Sequence, residues 1–274
     1  MLSGTSRVGI DVSRLRYDAF ATALIIQVRV IGALILRETR TRFGRSQLGY
    51  LWAIAEPLCY IICLSFLFEA ISRHAPFGPS VGLFFATGLL PYQLYSRTSA
   101  ALVTAFDANE ALLTYPIVKP VDTLIARAVL EIATAAMVMI ILFSGLVFLA
   151  DAPEPAALHV MTLAMIGLGL FAFGVGTING VIAKLLPSWR QIYEVATRPL
   201  MLVSGVFFLP DSMPAAIRDT IAYIPIVHGI ELFRSGYYAG YRSTILDPGY
   251  LVVSGLVVSL IALALERIVR LRSP

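Results

Sequence analysis

From residue 50 onward the chain alternates long apolar stretches with short polar ones. Six stretches have the length of a bilayer crossing, at approximately 50 to 71, 83 to 106, 123 to 149, 158 to 183, 191 to 209 and 249 to 268. A hydrocarbon core about 30 Å thick takes roughly 20 apolar helical residues. A β-barrel would show alternating segments of about ten residues, whereas these runs are continuous. The pattern predicts an all-α polytopic membrane protein of six transmembrane helices. Ahead of them, FATALIIQVRVIGALILRETRTRF sets Leu24, Ile25, Val28, Ile31, Leu34 and Ile35 at spacings of three and four. Its basic residues, Arg29 and then Arg37, Arg40 and Arg42, gather toward the C-terminal end. This predicts an amphipathic helix lying flat in the cytoplasmic interface. Residues 1–49 then form an N-terminal cytoplasmic region and 50–274 the transmembrane domain.

Composition agrees: 58% of the 274 residues are hydrophobic and 14% charged, with a mean hydropathy of +0.82, which excludes an ordinary soluble domain. Lys and Arg set the orientation. Arg7, Arg14, Arg16, Arg29, Arg37, Arg40, Arg42 and Arg45 precede the first crossing, and Arg267, Arg270 and Arg272 follow the last. Both termini are therefore expected to be cytoplasmic, together with the connections holding Lys119, Lys184 and Arg190. Residues 150 to 157, with acids and no base, fall outside, as does the long stretch 210 to 248 in spite of Arg218, Arg234 and Arg242. The net charge of +4 thus reads as topology and attraction to the membrane surface, not nucleic-acid binding. The polar first twenty residues do not resemble a cleavable signal. Cys59 and Cys63, one turn apart in the first crossing, fit no disulfide or zinc framework and read as small buried hydrophobes.

Charged residues inside crossings need a partner or a wet cavity. Counted along each helix at about 1.5 Å per residue, Glu56 and Arg127 lie about 8 Å, and Arg97 and Glu131 about 13 Å, from the cytoplasmic edge. Their shared layer predicts a buried network of Glu56, Arg97, Arg127 and Glu131, either structural or lining a polar conduit. Glu194 and Arg198 can pair one turn apart. In the fourth crossing, Ala172, Gly176 and Gly180 form a small-residue face for close helix packing, within or between subunits.

The sequence holds no G-x-x-x-x-G-K-[ST] phosphate loop and no H-E-x-x-H zinc motif. His228, Glu231 and Arg234 share a helical spacing that predicts a hydrogen-bonded helix face rather than a metal site. If transport here consumes ATP, another chain must bind it.

Three segments, RETRTRFGRSQLGYLWAIAEP, KPVDTLIARAVLE and IPIVHGIELFRSGYYAGY, resemble the KpsM-type transmembrane subunit of capsular polysaccharide ABC exporters, a branch of the ABC-2 permeases. The resemblance covers nearly the whole chain beyond about residue 30. It implies a homodimer in the bacterial inner membrane, bound to two cytoplasmic ATPase subunits that hold ATP and Mg. A lipid-linked polysaccharide would run along the dimer interface between first and fifth crossings, with periplasmic and outer-membrane export proteins as further partners. By position, Arg37, Arg40, Arg42 and Arg45 would flank the substrate entrance, and Trp52, Glu56 and Pro57 would begin the path. Residues 107 to 119, with Asp107, Asn109, Glu110, Leu112, Leu113 and Lys119, would form the coupling segment on the ATPase. SMPAAIRDTIAYIPIVHGIELFRSGYY would form short re-entrant or interfacial helices near the exit. The chain departs from the family pattern at Phe43, often Tyr, and at Pro116, where capsule-type members can carry a base.

A sliding sugar polymer needs a conduit that grips weakly, and aromatic faces suit it. Tyr50, Trp52, Tyr60, Tyr92, Tyr95, Phe207 and Phe208 are the candidates, although interfacial belts use Tyr and Trp too. Asp107 with Glu110 three residues on has the spacing of a capping box for the coupling segment. Two other classes remain open. A membrane enzyme acting on lipid-linked sugars would need convergent carboxylates or a metal near an interface, and a proton-coupled secondary transporter would use Glu56 or Glu131.

Overall fold

The computed structural model describes residues 12–43, 48–71, 74–115 and 117–272, which form helices and turns with no strand. α1 (Val12–Phe43), α2 (Leu48–Ala70) and α3 (Val81–Val103) are followed by two single turns, α4 (Ala105–Ala108) and α5 (Glu110–Leu113). Then come α6 (Pro120–Ala150), α7 (Leu158–Leu185), α8 (Trp189–Thr197) and α9 (Leu200–Val203). A 3-10 turn at Pro210–Ser212 leads to α10 (Ala215–Ile221), α11 (Pro225–Tyr237) and α12 (Pro248–Arg272).

Among the described residues, four helices are long and apolar enough to cross a membrane: α2, α6, α7 and α12. α3 is equally extended, but Gln93, Ser96, Arg97, Thr98 and Ser99 dilute its second half. Ser80 caps α3, accepting from the Leu83 N–H at 3.2 Å, and α6 begins on Pro120, whose missing N–H costs nothing at a first helical position.

The predicted fifth crossing, 191 to 209, is not a continuous helix. α8 stops at Thr197, α9 ends at Val203, and the chain turns through Gly205 at φ +86°. Pro199 supplies no N–H, so the helical bond its amide would donate is missing although Arg198 and Pro199 keep helical dihedrals, and glycine accepts the left-handed turn without a Cβ clash. Phe207 and Phe208 therefore lie on irregular chain. Cys59 and Cys63, expected to be buried, instead stand exposed on α2, because that helix is packed along only part of its surface.

α7 is the central helix, packed by α12, α3 and α11. Its small residues permit this. A Cβ on Gly176 would meet the Ser99 carbonyl oxygen at 2.7 Å, and one on Gly180 the Leu102 carbonyl oxygen at 2.7 Å. The small-residue face is thus occupied inside the chain, against α3. α11, expected in an external loop, is buried through Ile226, Val227, Ile230, Phe233 and Tyr237. Its far end holds the α6–α7 connection, where Tyr237 donates to the Pro153 carbonyl at 2.9 Å. Residues 150 to 157 and 210 to 248 therefore share one end of the bundle.

α1 packs mainly along α6 and only lightly on α2. Leu34 is buried, whereas Leu24, Ile25 and Val28 are exposed.

Candidate functional site

At the other end of the bundle, the arginine-bearing half of α1 meets the turns α4 and α5. Asn109 separates these turns because its side chain competes for backbone groups: its Nδ2 donates to the Ala105 carbonyl at 3.0 Å. The same amide donates to Glu38 Oε1 at 3.2 Å, and its Oδ1 accepts from Arg37 Nη1 at 2.9 Å. Glu38 also accepts from Arg127 Nε at 3.1 Å. Arg127 donates further to the Ala101 carbonyl at 2.9 Å and to Thr104 Oγ1 at 3.1 Å. Nearer the start of α1, Gln27 donates to Asp122 at 2.7 Å, and Asp122 in turn receives the Lys119 N–H at 3.0 Å.

Of the four predicted entrance arginines, Arg37 is therefore tied to Asn109, and Arg40 is exposed beside it on an open groove lined by Ala33, Leu36, Arg37, Arg40 and Thr41. Arg45 and the side chains of Arg42 and Tyr50 lie outside the described residues.

The predicted charge layer is divided. Glu56 and Arg97 form an ion pair at 3.1 Å between α2 and α3. Arg97 and Glu131 line one small cavity with Ala53, Gln93 and Thr134. Arg127 instead pairs with Glu38, because α1 lies against α6 and brings a nearer carboxylate than α2 does. Glu38 was invisible as a partner because nothing local links it to a residue 89 positions away. Glu194 and Arg198 do pair, at 2.9 Å.

The aromatic candidates separate by exposure. Trp52 is 67% and Tyr60 50% exposed on the outer side of α2. Tyr92 and Tyr95 are buried, with Tyr95 stacked on Phe171 at 5.7 Å. Phe207 packs edge-on to Phe85 at 6.1 Å, and Phe208 is half-buried.

In the segment 107 to 119, Asp107 lies within α4 and forms an ion pair with Arg190, not the cap of a longer helix. A single uninterrupted helix was the premise of the capping box, and Asn109 breaks it. Glu110 is exposed, Leu112 and Leu113 are half-buried, and Lys119 precedes α6. Tyr115 and Ile117, which sequence reading passed over, are 60% and 61% exposed. The sequence carries no distinct signal for them, since Leu112, Leu113 and Val118 are equally apolar neighbours in the same segment.

At the opposite end, His228, Glu231 and Arg234 fall on buried α11. Glu231 accepts from Arg234 Nη1 at 3.2 Å and from the Tyr241 hydroxyl at 2.7 Å. Arg234, fully buried, also donates to the carbonyls of Gly205 at 2.8 Å and Val206 at 3.3 Å, and lies 4.3 Å above the Phe84 ring. Burial, and then the Glu231 carboxylate, hold the Tyr241 hydroxyl well above the usual phenol range, so it stays a donor. His228 Nδ1 accepts from the Asp247 N–H at 3.1 Å, which leaves Nε2 protonated to donate to the Ala222 carbonyl at 2.7 Å. These groups are committed to holding α11, the turn after α9 and the start of α12 together.

The fold and its apolar helices define a polytopic helical membrane protein in which Arg37, Glu38, Asn109 and Arg127 at one end, and Glu231, Arg234 and Tyr241 at the other, are joined into networks. Residues 29–238 match the ABC-2 type transporter family, and the chain belongs to that family. It is 34% identical over 242 residues to the polysialic acid transport protein KpsM of Escherichia coli, covering 88% of this chain and 94% of that protein. It is 31% identical over 253 residues to the capsule polysaccharide export inner-membrane protein CtrC of Neisseria meningitidis, covering 92% and 96%. To the capsule polysaccharide export inner-membrane protein BexB of Haemophilus influenzae it is 31% identical over 248 residues, covering 90% and 94%.

Proposed function

We propose that the chain is the permease subunit of an ATP-driven exporter that moves a lipid-linked capsular polysaccharide across the bacterial inner membrane. The carrying observation is similarity along nearly the whole chain to inner-membrane proteins of capsule polysaccharide export. The subunit itself performs no bond chemistry. Two copies pair and bind two ATPase subunits, which hold ATP and Mg, and periplasmic and outer-membrane export proteins extend the path. Both termini face the cytoplasm, residues 1–49 form the cytoplasmic region, and six crossings span the membrane, with α8, α9 and the following irregular chain as the fifth. α1 lies in the interface, and α10 and α11 are the short helices on the exit side.

In this reading Arg40, with Arg42 and Arg45, offers planar two-point contacts to the anionic head of the substrate. Trp52 and Tyr60 provide weakly gripping faces along α2. The segment 107 to 119 seats on the ATPase through Glu110, Leu113, Tyr115 and Ile117. Cysteines placed at Glu110 or Leu113 should crosslink to the co-purified ATPase, and export into vesicles should require ATP and survive collapse of the proton gradient. Export that stops with the gradient, or an ATPase that crosslinks only to residues 184 to 190, would overturn the reading.

A further inference from the structure

The residues that fix α1 also bind it to the segment assigned to the ATPase. Asn109, only 2% exposed, lies in that segment and grips two adjacent residues of α1, donating to Glu38 and accepting from Arg37. Glu38 joins the same group to α6 through Arg127. α1 is therefore fastened to the 107 to 119 segment and to α6, whereas among the described residues its packing on α2 is slight. On the other flank, Asp107 ties the segment to Arg190 at the start of α8. Arg40 stands about one turn beyond Arg37 on the same helix and lines the same open groove.

We infer that Glu38 and Asn109 are positioning residues that carry displacement of the 107 to 119 segment into the arginine-bearing end of α1, so that Arg40 shifts relative to α2 as the ATPase changes state. The physical requirement is a connection stiffer than its surroundings. Shielded bonds with an ionised partner supply it: Asn109 is buried and the Glu38 and Arg127 side chains are mostly covered, so breaking the Glu38 contacts leaves a charge with little solvent. The slight α1–α2 packing provides the surface that slips. A push on the segment then reaches the substrate entrance through α1 and the fifth crossing through Arg190. This inference rests on the exporter reading.

The test uses the full permease with its ATPase in lipid nanodiscs. Cys59 and Cys63 are replaced by Ser, and a spin label is attached to Thr41→Cys on the exposed end of α1. ATP with vanadate should change the label spectrum in this background. In Glu38→Ala the change should be largely lost, while the complex still assembles and hydrolyses ATP. Glu38→Gln keeps the length and one acceptor oxygen and should give an intermediate response; if Glu38→Ala fails to assemble, this variant decides by whether its response falls. An undiminished response in the variants overturns the inference, as does a label that ignores ATP while hydrolysis proceeds. Failure of the unmodified chain to retain the ATPase would instead sink the exporter reading.

Discussion

Glu38 of α1 and Arg127 of α6 meet at 3.1 Å, 89 positions apart, with 14% and 15% of their side chains exposed. Such a pair is well shielded, so removing one partner leaves a charge with little solvent. Glu38→Ala should destabilise the protein by about 3 kcal/mol, read by denaturant titration in detergent. Combined with Arg127→Gln, the loss should be smaller than the sum by about 1 kcal/mol or more. Additive losses would remove the pair from the account. The same cycle on Glu56 and Arg97, whose side chains are 39% and 27% exposed, should give a weaker coupling.

Arg234 anchors the turn after α9 to α11. Arg234→Met strands Glu231 and two carbonyls and should cost about 3 to 5 kcal/mol. Arg234→Lys should recover little, because one ammonium cannot span the directions that the planar guanidinium serves. Tyr241→Phe removes a single bond to a carboxylate and should cost about 2 kcal/mol. A Tyr241→Phe loss equal to that of Arg234→Met would show that Tyr241, not Arg234, holds the cluster.

Gly176 on α7 touches the α3 backbone. A Cβ there would stand 2.7 Å from the Ser99 carbonyl oxygen, and backbone cannot swing aside as a flexible side chain can. Gly176→Ala should therefore cost about 1 to 3 kcal/mol, whereas Gly145→Ala, with nothing within 4 Å, should be neutral or better in its helix. Equal thermal midpoints for the two variants would contradict the close α3–α7 contact.

Arg40 and Arg37 should respond differently to replacement by lysine. Arg40→Lys keeps the charge and the topology signal but loses the two-point contact proposed for the substrate's anionic head. A lost charge-assisted bond of about 1.5 kcal/mol corresponds to roughly tenfold, so export should fall by about that factor with assembly unchanged. Arg37→Lys should instead lower stability, through its contact with Asn109. Full export from Arg40→Lys would leave that arginine as a topology signal alone.

Continuous apolar runs made the helical membrane class legible without a structure, because a bilayer demands length and hydrophobicity that few sequences contain by accident. The helices α2, α6, α7 and α12 follow from that demand, with ends displaced by up to four residues. The spacing of Gly176 and Gly180 announced a close contact, and that of His228, Glu231 and Arg234 a shared helix face. The predicted fifth crossing, 191 to 209, is legible in the sequence only as an apolar stretch: hydropathy averages over Pro199 and Gly205, whereas backbone geometry does not. Other features had no local trace. Glu38 found Arg127, Asn109 found α1, and Arg234 found Gly205 only when helices distant in sequence packed together, since one charged residue can satisfy another anywhere the fold places it. Sequence determined which segments must leave water and which residues needed partners. Tertiary structure decided who those partners are, because pairing depends on which helix faces lie within about 3 Å of each other and no sequence period encodes that distance.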